Sequence, residues 1–383
     1  MTRWVSWCAA AAAAVAVAVG CAPTPRSAVP APAETFFDEA WRDYTSHYLH
    51  PSGYVLDRTR GGGEVTSEGQ AYALLRAAWV GDRPTFERVL RWTERTLARR
   101  DGLFAWHWSP AGGGRVLDAH AATDADEDIA FALILAGVRF GHRPYLARAA
   151  RTVKAIRTQT GIRLPVGWLP SAGDWAVGER IVNLSYFAPY AYPYFARLDP
   201  EGDWPAAIEA GYGLLARAVS GPGRRLPPDF AAVDRDGALV ALPAGSTLPR
   251  RFSFDAIRIA WRVEFDCRLH GRESACAGAG GALSLAEMLA GDGRLVTQYE
   301  VSGDPRTDDE SPTFYASVLP ALMRLAPASG GRVRAARLSD GVIRPLLARD
   351  DRYYDANWIW FGLALADGWL VPRTPPVQAV RLR

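Results

Sequence analysis

The 383-residue chain holds a single lysine, Lys154, with three methionines, four cysteines and six histidines. Each scarcity removes a class of function. A Walker-type phosphate loop needs Gly-Lys-Ser/Thr, so the glycine runs at Gly61 and Gly112 cannot be one. No Gly-x-Ser-x-Gly elbow is present to carry a serine nucleophile. The histidines contain no His-x-x-x-His pair, and the cysteine spacing fits no zinc knuckle, so neither a metal nor a cofactor is expected. Positive charge rests on arginines scattered between acids, and the net charge is only +3, which argues against a nucleic-acid partner. Strand-like alternation is scarce too; 236–248, on a loop excursion, is the one stretch that reads that way.

What is present begins with an export segment. Met1-Thr2-Arg3 is a short basic start, and an Ala/Val-rich run follows to Val19. That run is too short for a membrane span and reads as a signal peptide, 1–21. Ala18-Val19-Gly20-Cys21 resembles a bacterial lipobox, in which Cys21 would become the lipidated first residue; the alternative is an ordinary cleaved signal with a chance cysteine. Residues 22–34 are Pro/Ala-rich and read as an extended tether. Cys267 and Cys276 remain, and in an oxidising compartment they could form a local disulfide.

The body reads as helix after helix. Phe37, Trp41, Tyr44 and Tyr48 recur at helical spacing, as do Phe86, Val89, Leu90, Thr93 and Leu97 behind Pro84. Further helices are expected near 144–158, 204–219, 255–269, 281–290, 312–325 and 353–366, separated by Gly/Pro-rich loops. Helix count alone leaves a toroid, an α-solenoid and a bundle open.

One stretch asks for more than packing. Thr123-Asp124-Ala125-Asp126-Glu127-Asp128 sets four acids in five residues at the start of a wholly apolar helix running to Phe140. A cap and the helix dipole account for one or two acids, with Thr123 or Asp124 as the cap. They do not account for four, because gathered carboxylates repel one another. Glu68, in Thr66-Ser67-Glu68-Gly69-Gln70-Ala71-Tyr72, is by itself a helix-start acid behind a serine cap, and Gly69 leaves room for close approach. Asp255, in Phe252-Ser253-Phe254-Asp255-Ala256-Ile257-Arg258, is by itself a helix-start acid paired with Arg258 at i+3.

Together these stretches resemble glycoside hydrolase family 8. Ala122 to Phe140 meets the family signature at every constrained position, Ser67-Glu68-Gly69 followed by Tyr72 resembles its general-acid motif, and Phe254-Asp255-Ala256-Ile257-Arg258 resembles the motif of its general base. Asn183-Leu184-Ser185-Tyr186 with Pro189 resembles a further segment whose tyrosine lies near the nucleophilic water. The resemblance covers most of 35–368 and is closest to periplasmic endoglucanases of bacterial cellulose synthesis, although Asp126-Glu127-Asp128-Ile129 is more like secreted members.

The resemblance implies an all-α (α/α)6 toroid over 35–372, followed by a tail, 373–383. It implies inverting endo-β-1,4-glucanase chemistry, with Glu68 as acid and Asp255 as base. Asp124 would hold the sugar at the cleavage subsite, with Asp126 as the less favoured candidate. A negative neighbour such as Asp124 would help Glu68 keep its proton. Arg258 would orient Asp255 or the sugar, and Tyr72, Asn183 and Tyr186 complete the cleft. Trp106 and Trp108 are either sugar platforms or core. The expected partner is the polysaccharide, for an exported monomer whose only membrane contact is a lipid anchor, with a cellulose synthase complex as a further partner. The rival readings are another polymer for the same chemistry (xylan, chitosan, mixed-linkage glucan, another exopolysaccharide) or a non-catalytic sugar-binding lipoprotein.

Overall fold

The computed structural model describes residues 36–59, 63–276, 281–328 and 353–382. The signal, Cys21 and the tether lie outside the described residues. α-Helices account for nearly half of what is described. They are α1 (Phe36–Tyr48), α2 (Ser67–Val80), α3 (Arg83–Thr96), α4 (Thr123–Arg139), α5 (Arg143–Ala155) and α6 (Tyr192–Leu198). After them come α7 (Trp204–Ser220), α8 (Arg258–His270), α9 (Glu273–Cys276), α10 (Ala282–Asp292), α11 (Pro312–Leu325) and α12 (Tyr353–Ala366).

Apolar patterning sorts these helices into two rings. A helix buried all round must be surrounded by others, whereas one with a single apolar stripe lies outside. In α12 every residue but Tyr354 is buried, and α4 is buried from Thr123 to Gly137. In α3 the buried residues, Thr85, Phe86, Val89, Leu90, Trp92 and Thr93, form one stripe. Thus α2, α4, α6, α8, α11 and α12 make an inner ring, and the other helices flank it in the (α/α)6 manner.

Aromatic side chains fill the middle of that ring. Trp79 of α2 meets Phe131 of α4 and Phe265 of α8 at centroid distances of 6.3 and 5.9 Å. Trp261 of α8 meets Phe361 of α12 at 5.6 Å, and Tyr72 of α2 meets Trp358 at 5.8 Å. Fully burying such a side chain contributes on the order of 2–3 kcal/mol. Inner helices also approach closely: a Cβ on Gly362 of α12 would stand 2.1 Å from the Ala316 carbonyl oxygen of α11. Only glycine permits that contact.

Short strands brace the loops at the end of the ring where α2, α4 and α8 begin. β1 (Val65–Thr66), β2 (His107–Ser109) and β3 (Arg115–Asp118) form one antiparallel sheet. β4 (Gly161–Arg163) pairs with β5 (Trp168–Pro170), and β6 (Ile181–Asn183) pairs through β7 (Phe230–Val233) to β8 (Leu239–Val240). Of the expected strand at 236–248 only β8 forms. Helix α6, which lacks a long apolar period, was not expected, and α8 begins at Arg258, leaving Asp255 in the turn before it.

Two further features depart from or extend the sequence reading. Residues 373–382 pack onto the body rather than trailing from it: the Trp79 indole donates to Thr374 Oγ1 at 3.1 Å, and Tyr194 donates to the Pro375 carbonyl at 2.7 Å. These two buried aromatics need polar partners, and the C-terminal segment supplies them. Cys267 and Cys276 are bonded, with Cα atoms 6.1 Å apart, and tie α8 to α9.

Candidate active site

The site is built where three chain segments deliver carboxylates to one arginine. Glu68 is the second residue of α2, which follows directly from β1. Its helix is capped by Thr66, not by Ser67: Thr66 Oγ1 accepts the Gly69 amide at 3.0 Å. Gly69 is required there, because a Cβ would lie 2.4 Å from the Tyr353 hydroxyl. Asp124 is the second residue of α4, and neither it nor Thr123 caps that helix. Asp255 stands in the turn preceding α8, whose first residue is Arg258.

Arg258 collects all three. Its Nη1 donates to Glu68 Oε2 at 2.5 Å, to Asp124 Oδ2 at 3.0 Å and to the Tyr72 hydroxyl at 3.4 Å. Its Nη2 donates to Asp255 Oδ1, and its guanidinium carbon lies 5.4 Å from the centre of the Tyr186 ring. Burial alone would disfavour the arginine's charge, but the surrounding anions and hydroxyls hold it fully protonated. Because Glu68 and Asp255 share one planar guanidinium, their nearest oxygens are no more than about 7 Å apart.

Exposure divides the carboxylates by task. The side chains of Glu68 and Asp255 are 26% and 31% exposed, whereas Asp124 is 3% and Arg258 1% exposed. Two carboxylates therefore open to solvent, above a buried charge pair. Asp124 is pushed up to about 7: burial dominates, Arg258 opposes it, and the charge on Glu68 adds to it.

A second charge pair lies one helical turn deeper. Arg262 Nη2 donates to Asp128 Oδ2 at 2.7 Å, and the Tyr190 hydroxyl donates to Asp128 Oδ1 at 2.6 Å. Asp124 and Asp128 are four residues apart on α4, as Arg258 and Arg262 are on α8, so the pairs stack. The acids crowding the start of α4 thus divide. Asp124 and Asp128 face α8, Glu127 accepts from the Tyr192 hydroxyl at 2.9 Å, and Asp126 turns away. Asp126 Oδ1 accepts the Phe104 amide at 2.9 Å, so this residue braces a loop rather than lining the open face.

The other expected positions divide as well. Trp106 is partly exposed and tied to the site, since its carbonyl accepts the Ser67 amide at 2.9 Å. Trp108 is core: pairing in β2 turns it inward, edge-on to Trp92 at 5.1 Å and against Tyr54 at 5.4 Å. Asn183 is buried, and its Oδ1 accepts from the amide and hydroxyl of Ser185, which fixes the turn presenting Tyr186. Two residues escaped the sequence reading. Tyr354 donates to the Phe254 carbonyl at 2.8 Å beside Asp255, and Asp229 is buried beneath the same turn. No pattern in the chain marks either, because contacts across the ring bring them there.

The raised value of Asp124 carries a stability consequence. Between about pH 4 and pH 7 the folded chain holds a proton that the unfolded chain releases, so this residue's contribution falls as pH rises and levels off above 7. In Asp124→Asn the fall in melting temperature from pH 5.5 to pH 8 is expected to be smaller than in the parent. Scanning calorimetry at the two values measures it; equal slopes would contradict the assignment.

Comparison with known proteins gives the family. Residues 2–272 match the model of glycosyl hydrolases family 8. A probable endoglucanase of Novacetimonas hansenii is 34% identical over 232 residues, 60% of this chain and 67% of that one. An endoglucanase of Xanthomonas axonopodis pv. citri (strain 306) is 30% identical over 379 residues, 93% of this chain and 94% of that one. The solved endo-β-1,4-glucanase CMCax of Acetobacter xylinum superposes with a TM-score of 0.69 at 27% identity, covering 87% of this chain and 98% of that one. With three carboxylates gathered on one arginine at the mouth of a helical toroid, and with these matches, the chain belongs to glycosyl hydrolases family 8.

Proposed function

We propose that this glycoside hydrolase is an inverting endo-β-1,4-glucanase. The observation that carries the reading is that Glu68 and Asp255 alone among the carboxylates on Arg258 open substantially to solvent. A glucan seated across them meets an acid and a base. Water attacks the anomeric carbon and gives its proton to Asp255 as the glycosidic C–O bond breaks, and Glu68 protonates the departing oxygen. Arg258 holds both groups in register. Asp124 contacts the sugar at the cleavage subsite, and Tyr186 borders the attacking water. The endoglucanase names of the Novacetimonas and Xanthomonas relatives support a β-1,4-glucan as substrate.

A reducing-sugar assay on carboxymethylcellulose, xylan, chitosan and mixed-linkage glucan tests the polymer, and carboxymethylcellulose is expected to be cut fastest. Proton NMR of the first product from a β-linked glucan tests the stereochemistry. The α-anomer is expected; a first-formed β-anomer would mean a covalent route and a misplaced pair.

The setting is a proposal of the same kind. Cys21 and the tether support an exported lipoprotein, periplasmic or held at the outer membrane, monomeric, and serving cellulose or exopolysaccharide production beside a synthase complex. A tether of twelve residues, Ala22 to Ala33, would reach about 37 Å if extended at about 3.1 Å each. Cys21→Ala is expected to move the protein from the membrane fraction to the soluble one. A native N-terminus without a diacylglycerol adduct would reject the anchor and leave the hydrolase reading intact.

A further inference from the structure

Asp229, between Pro228 and Phe230 at the head of β7, has no part in the acid–base scheme, yet it is wholly buried directly beneath it. Its Oδ1 accepts the amides of Ser253 at 2.9 Å and Ala256 at 2.8 Å. Its Oδ2 accepts the Ser253 hydroxyl. Its own amide donates to the Arg251 carbonyl at 2.7 Å. The carboxylate therefore grips the chain on both sides of Asp255. A buried carboxylate is costly to maintain, and a turn of four residues can be held by backbone bonds alone, so packing gives no reason to place a charge here.

We propose that Asp229 is the positioning residue of Asp255: it fixes the turn that aims the base and sets an opposing charge beneath it. The proposal rests on the reading of Asp255 as general base. Four groups face Asp255: Arg258 from α8, Tyr186 from the turn after β6, Tyr354 from α12, and Asp229 from below. Glu68 and Asp124 lie across the shared guanidinium. Burial, and then the charge on Asp255, push Asp229 up to about 6. Below about pH 6 Asp229 therefore holds a proton, and above it a second charge lies beneath Asp255.

Two substitutions separate the clamp from the charge. Asp229→Asn keeps an oxygen for both amides and removes the charge; Asp229→Ala removes both. The test is kcat and KM on carboxymethylcellulose from pH 4 to pH 8 for each variant, with Asp255→Asn alongside and folded fraction followed by circular dichroism. The gap in kcat between Asp229→Asn and the parent is expected to close below about pH 6, where the parent's Asp229 holds a proton and the two carry the same charge. Asp229→Ala is expected to lose about tenfold or more in kcat with KM within about twofold, and Asn recovers most of that loss. Should the alanine variant fail to fold, Ser253→Ala removes one leg of the clamp and is expected to lower kcat alone. A gap that does not close at low pH, or activity in both variants that merely tracks the folded fraction, overturns the role of Asp229. An active Asp255→Asn would instead remove the base assignment on which it rests.

Discussion

Glu68→Gln is expected to depress hydrolysis of a β-1,4-glucan by about 10²–10⁴-fold, and Asp255→Asn by a similar factor. Each change keeps the size of the side chain and one acceptor for Arg258, so neither should disturb the fold. Glutamine has no proton to give the departing oxygen, and asparagine cannot take one from water. Polymer binding should persist, because the aromatic and hydroxyl contacts of the open face remain, so the loss falls on kcat rather than KM. Steady-state kinetics on carboxymethylcellulose, paired with pull-down of the inactive variants on cellulose, measures both halves. Full activity in Glu68→Gln would mean that a different carboxylate serves as the acid. Asp124→Asn is expected to slow the reaction as well, through a lost sugar contact rather than lost proton transfer.

Arg258→Met should damage both stability and rate. The arginine is buried and donates to Glu68, Asp124 and Asp255 at once. Methionine fills part of the volume but leaves Asp124 without its cation in a nearly dry site. Breaking a buried pair from one side costs about 3–5 kcal/mol, because the partner's charge is stranded. For a chain of this size that is a fall of roughly 6–15 °C in melting temperature at pH 8. At pH 5.5 Asp124 already holds a proton, so no charge is stranded and the loss should shrink. Lysine in its place restores a charge but not two forks, so Arg258→Lys should regain stability ahead of activity. A variant as stable as the parent at pH 8 would contradict this account.

Helix positions were legible wherever one face is apolar at helical spacing. α3, α11 and α12 lie close to where Phe86, Val89 and Leu90, 312–325 and 353–366 put them. The stretches that meet at Arg258 were legible because they are contiguous: Glu68, Asp124, Asp255 and Arg258 each sit in a local motif. Other pieces depend on distance along the chain. Trp106 and Trp108 look alike in the sequence, but Trp106 lies outside β2 and stays partly exposed, while β2 pairing, with a bulge between His107 and Trp108, buries Trp108 in the core. Asp126 and Asp128 are equally acidic, and only the facing of α4 toward α8 sends one to a loop amide and the other to Arg262. Asp229 had no signal, since its role exists only once β7 lies under the turn before α8. The paired i,i+4 spacing of Asp124 with Asp128 and Arg258 with Arg262 was present in the sequence and could have predicted the deeper ion pair.

The ring is sealed by residues from opposite ends of the chain. The Trp360 indole donates to the Phe37 carbonyl across 323 positions, and Arg76 reaches Asn357 across 281. Such contacts cannot begin to form until the chain has been made through α12, so closure should be a late and slow event in folding. A nascent chain lacking α12 would expose the apolar flanks of α2 and α11 as sticky, unmatched surfaces. α12, which locks the ring, follows the other described α-helices in the chain, so the ring stays open until that helix is made.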